Sequence, residues 1–383
     1  MFIRNYFSQI SKTVFFSSSI KNQYVINFII LKIILFTITA CNSDSNVYQH
    51  QYKSGNFQSA QETIVQLIEL DGPLKSKHSE LSDMTWCGDD LILLPQYPSF
   101  TEGRKTGDGF LYRIPKKNIL TYLNQIEAGT TPSPIQPEPI AFHPGNLEDN
   151  LKEYNGYEAI ICGQPSVKDI YLAIETDPFD NASPTYIVHG HWKGDQRIMI
   201  DQKPIARIES HSHRNNIGNE ALAWVENGLL SFHELNDKDY LESEPVAIWL
   251  SANGKLSKKI PMPHLPYRLT GVTTLDKSQR FWGVNYRYEG DSMVAKRTDP
   301  IWEQYGQAPS HIHEDNVERL VEFVYIDGEI KRSDTPPIQL SLTQEKGRNW
   351  EGIARLNDLG FLLVTDKFPG TYFGFVKKNI SKQ

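Results

Sequence analysis

Cysteine, basic charge and the common catalytic motifs are all scarce in this chain, and each scarcity removes a class of function. Three cysteines occur, Cys41, Cys87 and Cys162. They are too few for a disulfide framework, and no CxxC spacing offers a zinc site. Lys and Arg number 39 against 46 Asp and Glu, a net charge of −7 with no Lys/Arg-rich run. A nucleic-acid binder carries the opposite balance. No GxSxG elbow, HExxH, GxGxxG or P-loop is present, so a serine-hydrolase reading has no motif behind it. Helical periodicity is confined to short pieces such as KKNILTYLNQIEAG, Lys116 to Gly129. What remains is strand and turn material, with 22 Pro, 25 Gly and 11% aromatics.

One apolar run stands out near the start. Phe28 to Ala40 reads FIILKIILFTITA, behind Arg4, Lys12 and Lys21. Its uninterrupted part, Ile33 to Ala40, is far below the ~20 residues that span a bilayer. The pattern is that of an export signal. Ile38-Thr39-Ala40-Cys41 resembles a bacterial lipobox. That resemblance implies acylation of Cys41, a membrane attachment through the lipid and a cell-envelope location. Asn42 after the cysteine favours the outer membrane if the cell is Gram-negative. The competing reading is an uncleaved anchor with an incidental cysteine. The expected organisation is a signal peptide over 1–40, a polar tether over 41–60 and a folded domain over 61–378.

The folded part repeats. Short segments starting at Ser82 (SDMTWC), Glu158 (EAIIC), Glu220 (EALAWV), Thr270 (TGVTTL) and Glu351 (EGIARL) are each followed by a turn and a second apolar run. The second runs are DDLILLPQ, KDIYLAIET, NGLLSFHE, RFWGVNYR and LGFLLVTDK. A third run follows in every unit and a more polar fourth in most. Repeated four-run units with turn residues between them predict an all-β fold, a β-propeller of four-stranded antiparallel blades. The spacing gives five blades, or six if a degenerate one hides in the longest gaps. A β-sandwich is the alternative. The fifth unit lacks a fourth run, and ETIVQLIEL from Glu62 is expected to supply it and close the ring.

A propeller's innermost strand lines its channel. Its entry loop lies on the same face as the loop leaving the second strand. The second runs end on Gln96, Glu175, Glu234, Asn285 and Asp366, at offsets of 14, 17, 14, 15 and 15 from the repeat starts. So regular an offset places both sets on one rim. Glu158, Glu175, Glu220, Glu234, Glu351 and Asp366 would repel one another there unless protonated, paired or bridged by a cation. Arg214, Arg268, Arg287 and Lys367 are the candidate counter-ions. Oxygen donors of this kind suit Ca²⁺, with Glu158, Glu175, Glu220, Glu351 and Asp366 as its expected ligands. The bland reading is that each carboxylate caps backbone amides and locks blades together. Three HxH pairs occur, His189/His191, His211/His213 and His311/His313; the first falls on a strand and reads as structural, the others as loop histidines. Cys87 and Cys162 fall on adjacent innermost strands, and free buried thiols are the favoured reading over a disulfide.

NIGNEALAWVENGLLSFHE and NWEGIARLNDLGFLLVTDKFPGT resemble the family named for the esterase-like activity of phytase. Weaker similarity reaches the SdiA-regulated and gluconolactonase-type propellers. Asn216, Gly218, Glu220, Ala221 and Leu222 match one motif; Asn349, Glu351, Gly352, Ile353, Ala354 and Asp366 match another. The last motif continues Asp366-Lys367-Phe368 where the family more often has Asp-Asp-Asn. The resemblance implies an exported propeller with metal-assisted ester or phosphoester hydrolysis. In that reading Glu220, Glu351 and Asp366 hold the cation, and His213 or Glu234 is the general base. Arg214, Arg268, Arg287, Lys367, Asn285 and Gln96 face the substrate. The second expectation is a non-catalytic envelope lipoprotein that binds a ligand or protein on the same face. A monomer with no nucleic-acid partner is expected in both.

Overall fold

A computed structural model of the chain describes residues 59–378 other than 165, 178–182, 213, 242, 296–297 and 343–346. The expected signal segment, Cys41, most of the tether and His213 lie outside the described residues. No helix among the described residues is long and apolar enough to cross a membrane.

The strands pair into five antiparallel units. Their innermost strands are Leu81–Cys87, Tyr154–Cys162, Asn219–Val225, Leu265–Val272 and Trp350–Leu356. These pack side by side in chain order, and the fifth returns to the first. Second strands run Asp90–Pro95, Asp169–Thr176, Gly228–His233, Arg280–Arg287 and Gly360–Thr365. Third strands run Gly109–Pro115, Thr185–Trp192, Val246–Ser251, Val317–Ile326 and Phe373–Lys377. The protein is an all-β propeller.

The continuous apolar runs of the second strands follow from this stacking. Each sheet is covered on both faces by its neighbours, so alternate residues enter different cores. Leu91 and Leu93 pack with the fifth unit, whereas Ile92 and Leu94 pack with the second. Tyr171 and Ala173 meet the third unit. Phe232 meets Phe281 of the fourth, and Trp282 meets Phe361 of the fifth. Five apolar clusters therefore sit between five sheets and close a circle.

The outer strands are less regular. Gln66–Ile68 pairs antiparallel with Phe373–Lys377 and completes the fifth sheet. Four residues earlier, Glu62–Thr63 pairs parallel with Ile338–Leu340 of the fourth unit. Leu70 bridges Ile135 of the first. One N-terminal segment thus ties three units and removes the free edge of a broken ring. Glu138–His143 of the first unit pairs parallel with Arg197–Ile200 of the second, fusing two sheets at their rims. That pairing lies outside the sequence expectation.

Cys87 and Cys162 form a disulfide with Cα atoms 5.6 Å apart. This corrects the expectation of free thiols. Both cysteines end innermost strands of adjacent units, which brings them within bonding range.

Candidate functional site at the channel mouth

The five repeat positions share a backbone feature. Leu81 pairs with Pro95 and Asp83 with Leu94, leaving Ser82 without a partner on the second strand. The register slips in the same way around Glu158, Glu220, Thr270 and Glu351. A β-bulge adds one unpaired residue and re-aims its side chain. Here it delivers Ser82, Glu158, Glu220 and Glu351 to one cavity of about 690 Å³. Thr270 is buried and instead donates to the Trp350 carbonyl at 2.7 Å. Close packing behind the rim needs glycine: a Cβ on Gly271 would land on the carbonyl oxygen of Glu351.

The second-strand ends complete the mouth. Gln96, Glu175, Glu234 and Asp366 line the same cavity. Gln96 Nε2 donates to Glu158 Oε1 at 2.9 Å. Asn155 Nδ2 donates to Glu175 Oε2 at 3.2 Å, and Asn349 Nδ2 to Asp366 Oδ2 at 3.3 Å. Arg268 donates to Glu234 from one arm and reaches Asp291 with Nε at 2.8 Å. Seven acidic and three basic residues line the cavity in all.

Burial sets the protonation of this cluster. It pushes Glu158 up to about 7, and the nearby Asp366 and Glu234 charges add to the effect while the Gln96 hydrogen bond opposes it. Burial, then neighbouring carboxylates, raise Glu175, Glu220 and Glu351 well above the usual range. Asp366 is raised by burial against the pull of Lys367. Burial raises Glu234 too, but Arg268 opposes it, and Glu220 stands close enough to hydrogen-bond it. Glu220 therefore keeps its proton more readily than Glu234. Oε1 of Glu175, Oε2 of Glu220, Oε2 of Glu234 and Oδ1 of Asp366 are buried and meet no donor among the described residues. Such acceptors are uncommon in a finished core.

Several expected site residues lie elsewhere. Asn285 is fully buried, donates to the Pro266 and Arg268 carbonyls and accepts from Arg319. Arg287 is buried, and its Nε donates to the Val294 carbonyl at 2.6 Å. Arg214 donates to the Met293 carbonyl at 2.9 Å and lies over Tyr240. Arg214 and Arg287 brace the insertion between the second and third strands of the fourth unit, Asn285 ties the first and third strands of that unit together, and none of the three lines the cavity. Arg268 does line it, but with its charge matched by two buried carboxylates. No three described His, Cys, Asp or Glu side chains converge closely enough to hold a metal ion. The expected donors are of the right chemistry for Ca²⁺ and are spread around a wide mouth.

In each pair one histidine has a structural role among the described residues. His189 bridges Asp201 and Asp169. His211 stacks on His233, with ring centroids 5.4 Å apart. His311 is buried rather than exposed and contacts the Leu340 carbonyl at 3.0 Å. The capping role expected for the rim glutamates falls to Asp83, one residue further into the channel, whose Oδ2 accepts from the Ile160 amide at 2.9 Å. Sequence reasoning missed Tyr97, Tyr286, Asn155 and Lys105 in the lining. Asn216 and Asn349, in the quoted motifs, were the available signal for its amides.

No family model matches the chain, and no curated protein does. Among solved structures, a GH43_1 enzyme from Xanthomonas citri is similar at 9% identity, covering 82% of this chain and 91% of that one, with a TM-score of 0.45. The soluble aldose sugar dehydrogenase of Escherichia coli is similar at 11% identity over 82% and 98%, with a TM-score of 0.41. A glucose dehydrogenase is similar at 12% identity over 81% and 99%, with a TM-score of 0.39. At these values the likeness carries no argument about this chain.

Proposed function

We propose that this is an exported, lipid-anchored propeller that hydrolyses a carboxylic ester at its channel mouth, as the likeness to the phytase-esterase family suggests. The observation that carries the reading is the Glu220–Glu234 pair. Two carboxyls in contact with different proton affinities supply an acid and a base side by side. Arg268 favours the charged form of Glu234 against the effect of burial, and the free Oε2 of Glu234 is the atom that takes a proton from water. Protonated Glu220 donates to the ester carbonyl oxygen as water attacks the carbon. The tetrahedral intermediate then collapses: its new hydroxyl returns a proton to Glu220, the bond to the alcohol oxygen breaks, and that oxygen receives the proton held by Glu234. An acid and an alcohol are released. A phosphoester anion fits less well, because seven acidic side chains face the cavity. Export is supported by the lipobox and by a disulfide of the kind that persists in oxidising compartments.

Glu220→Gln and Glu234→Gln are each expected to slow hydrolysis of a neutral-ester panel by ~10²–10⁴-fold, with folding intact by circular dichroism. Full activity in both variants would falsify the assignment. Calcium has no part in the step; calorimetric titration with Ca²⁺ tests whether the dispersed carboxylates of the mouth bind it. A second reading, ligand binding without turnover, draws on the absence of any nucleophile–histidine pair among the described lining residues and on the rings of Tyr97, Tyr286 and Tyr288 there. Tight binding of an ester that is never cleaved would favour it.

A further inference from the structure

A second cavity, of about 640 Å³, adjoins the mouth. Tyr97, Lys105 and Lys367 line both, so the two share a wall. Their electrostatics are opposite. In the second cavity Arg104, Lys105 and Lys367 face a single acidic side chain, Glu80. Lys367 is paired with Glu80 at 3.2 Å. Lys105 donates to the Tyr97 hydroxyl at 3.2 Å and lies over its ring. Arg104 donates to the Asp108 carbonyl. Among the described residues no carboxylate pairs with Arg104 or Lys105, whereas Arg268 in the mouth has two.

Two unmatched cations in a cavity, beside a mouth crowded with carboxyls, sort a ligand by charge along its length. We propose that this annex is an oxyanion subsite. The substrate is then an ester carrying an acidic group, carboxylate or phosphate, at the end remote from the scissile bond. The proposal rests on reading the mouth as the ester site. The acidic group has nowhere to go in the mouth, where it would add to the existing negative charge. In the annex it receives charge-assisted hydrogen bonds from Arg104 and Lys105. Arg104 also provides the planar fork that matches a carboxylate or phosphate in two bonds.

The test uses two esters alike except for a terminal carboxylate on one and a methyl group on the other. The acid-tailed ester is expected to show a KM at least about tenfold lower, the size of one charge-assisted contact. Arg104 is exposed, so Arg104→Ala leaves the fold intact; it should raise that KM toward the neutral ester's. Acetate and inorganic phosphate, compared as competitors, tell which oxyanion the annex prefers. Equal KM values for the two esters in the unaltered protein, with no competition by either anion, overturn the proposal. Should neither ester be cleaved, calorimetry decides separately. Tighter binding of the acid-tailed ester that Arg104→Ala abolishes upholds the annex while refuting hydrolysis, and equal binding refutes the annex.

Discussion

Glu158 shows what a rim carboxyl costs the fold. Its pKa is about 7 in the folded chain against an ordinary 4.5. The folded state holds a proton that the unfolded state releases, so stability is greatest below about 4.5 and declines as pH rises through about 7. Glu158→Gln should flatten that decline and raise Tm at pH 8 by roughly 1–3 °C, with little effect at pH 5. Melting curves at the two pH values check this; an equal shift at both contradicts it. Such a gain through loss of a buried charge is the usual trade at functional sites. The rim carboxyls were legible in the sequence because their offset varies by only a few residues. The arginines were not, since their partners are set by tertiary packing. Arg287 reaches the Val294 carbonyl inside a long insertion, and no local pattern marks such a contact. The Cys87–Cys162 bond was hidden for the same reason: adjacent strands were foreseeable, and a 5.6 Å Cα separation was not.

At the scale of elements, the bulge and the closing strand matter most. The bulge explains why a repeat position can carry Ser or Glu and still aim its side chain into the mouth. The recurring residue marked the place, but a slip in pairing leaves no signature of its own in sequence. The closing strand was expected from a missing fourth run in the last unit. The parallel pairing of Glu62–Thr63 with the fourth unit was not, because two residues carry too little pattern to read. Removing residues 59–70 exposes the edge of Phe373–Lys377 and opens the cores that Val65 and Ile68 help fill. The truncated domain should lose several kcal/mol of stability and self-associate through the bare edge. Chemical denaturation with light scattering reads both effects. A monomer of unchanged midpoint would show that the segment is ornamental.

At the scale of the whole molecule, stability resides between sheets more than within them. Each of the five clusters draws on two neighbouring units, so none is complete without the next. This was visible in outline, since second strands apolar on both faces require cover on both. The fused rims of the first and second units were invisible, resting as they do on a parallel contact between strands some fifty residues apart.

Closure by the N-terminal segment has one more consequence. Gln66 is hydrogen-bonded alongside Phe375, residues from opposite ends of the domain. A ring whose first and last strands share a sheet has no structural beginning. Cutting it between the exposed Lys255 and Leu256 and joining residues 59 and 378 by a flexible linker should therefore give a circular permutant with the same sheets and the same channel mouth. Its circular dichroism and melting should match the parent's. A permutant that fails to fold would mean that the order of synthesis, and not the circle of contacts alone, is needed to build the propeller.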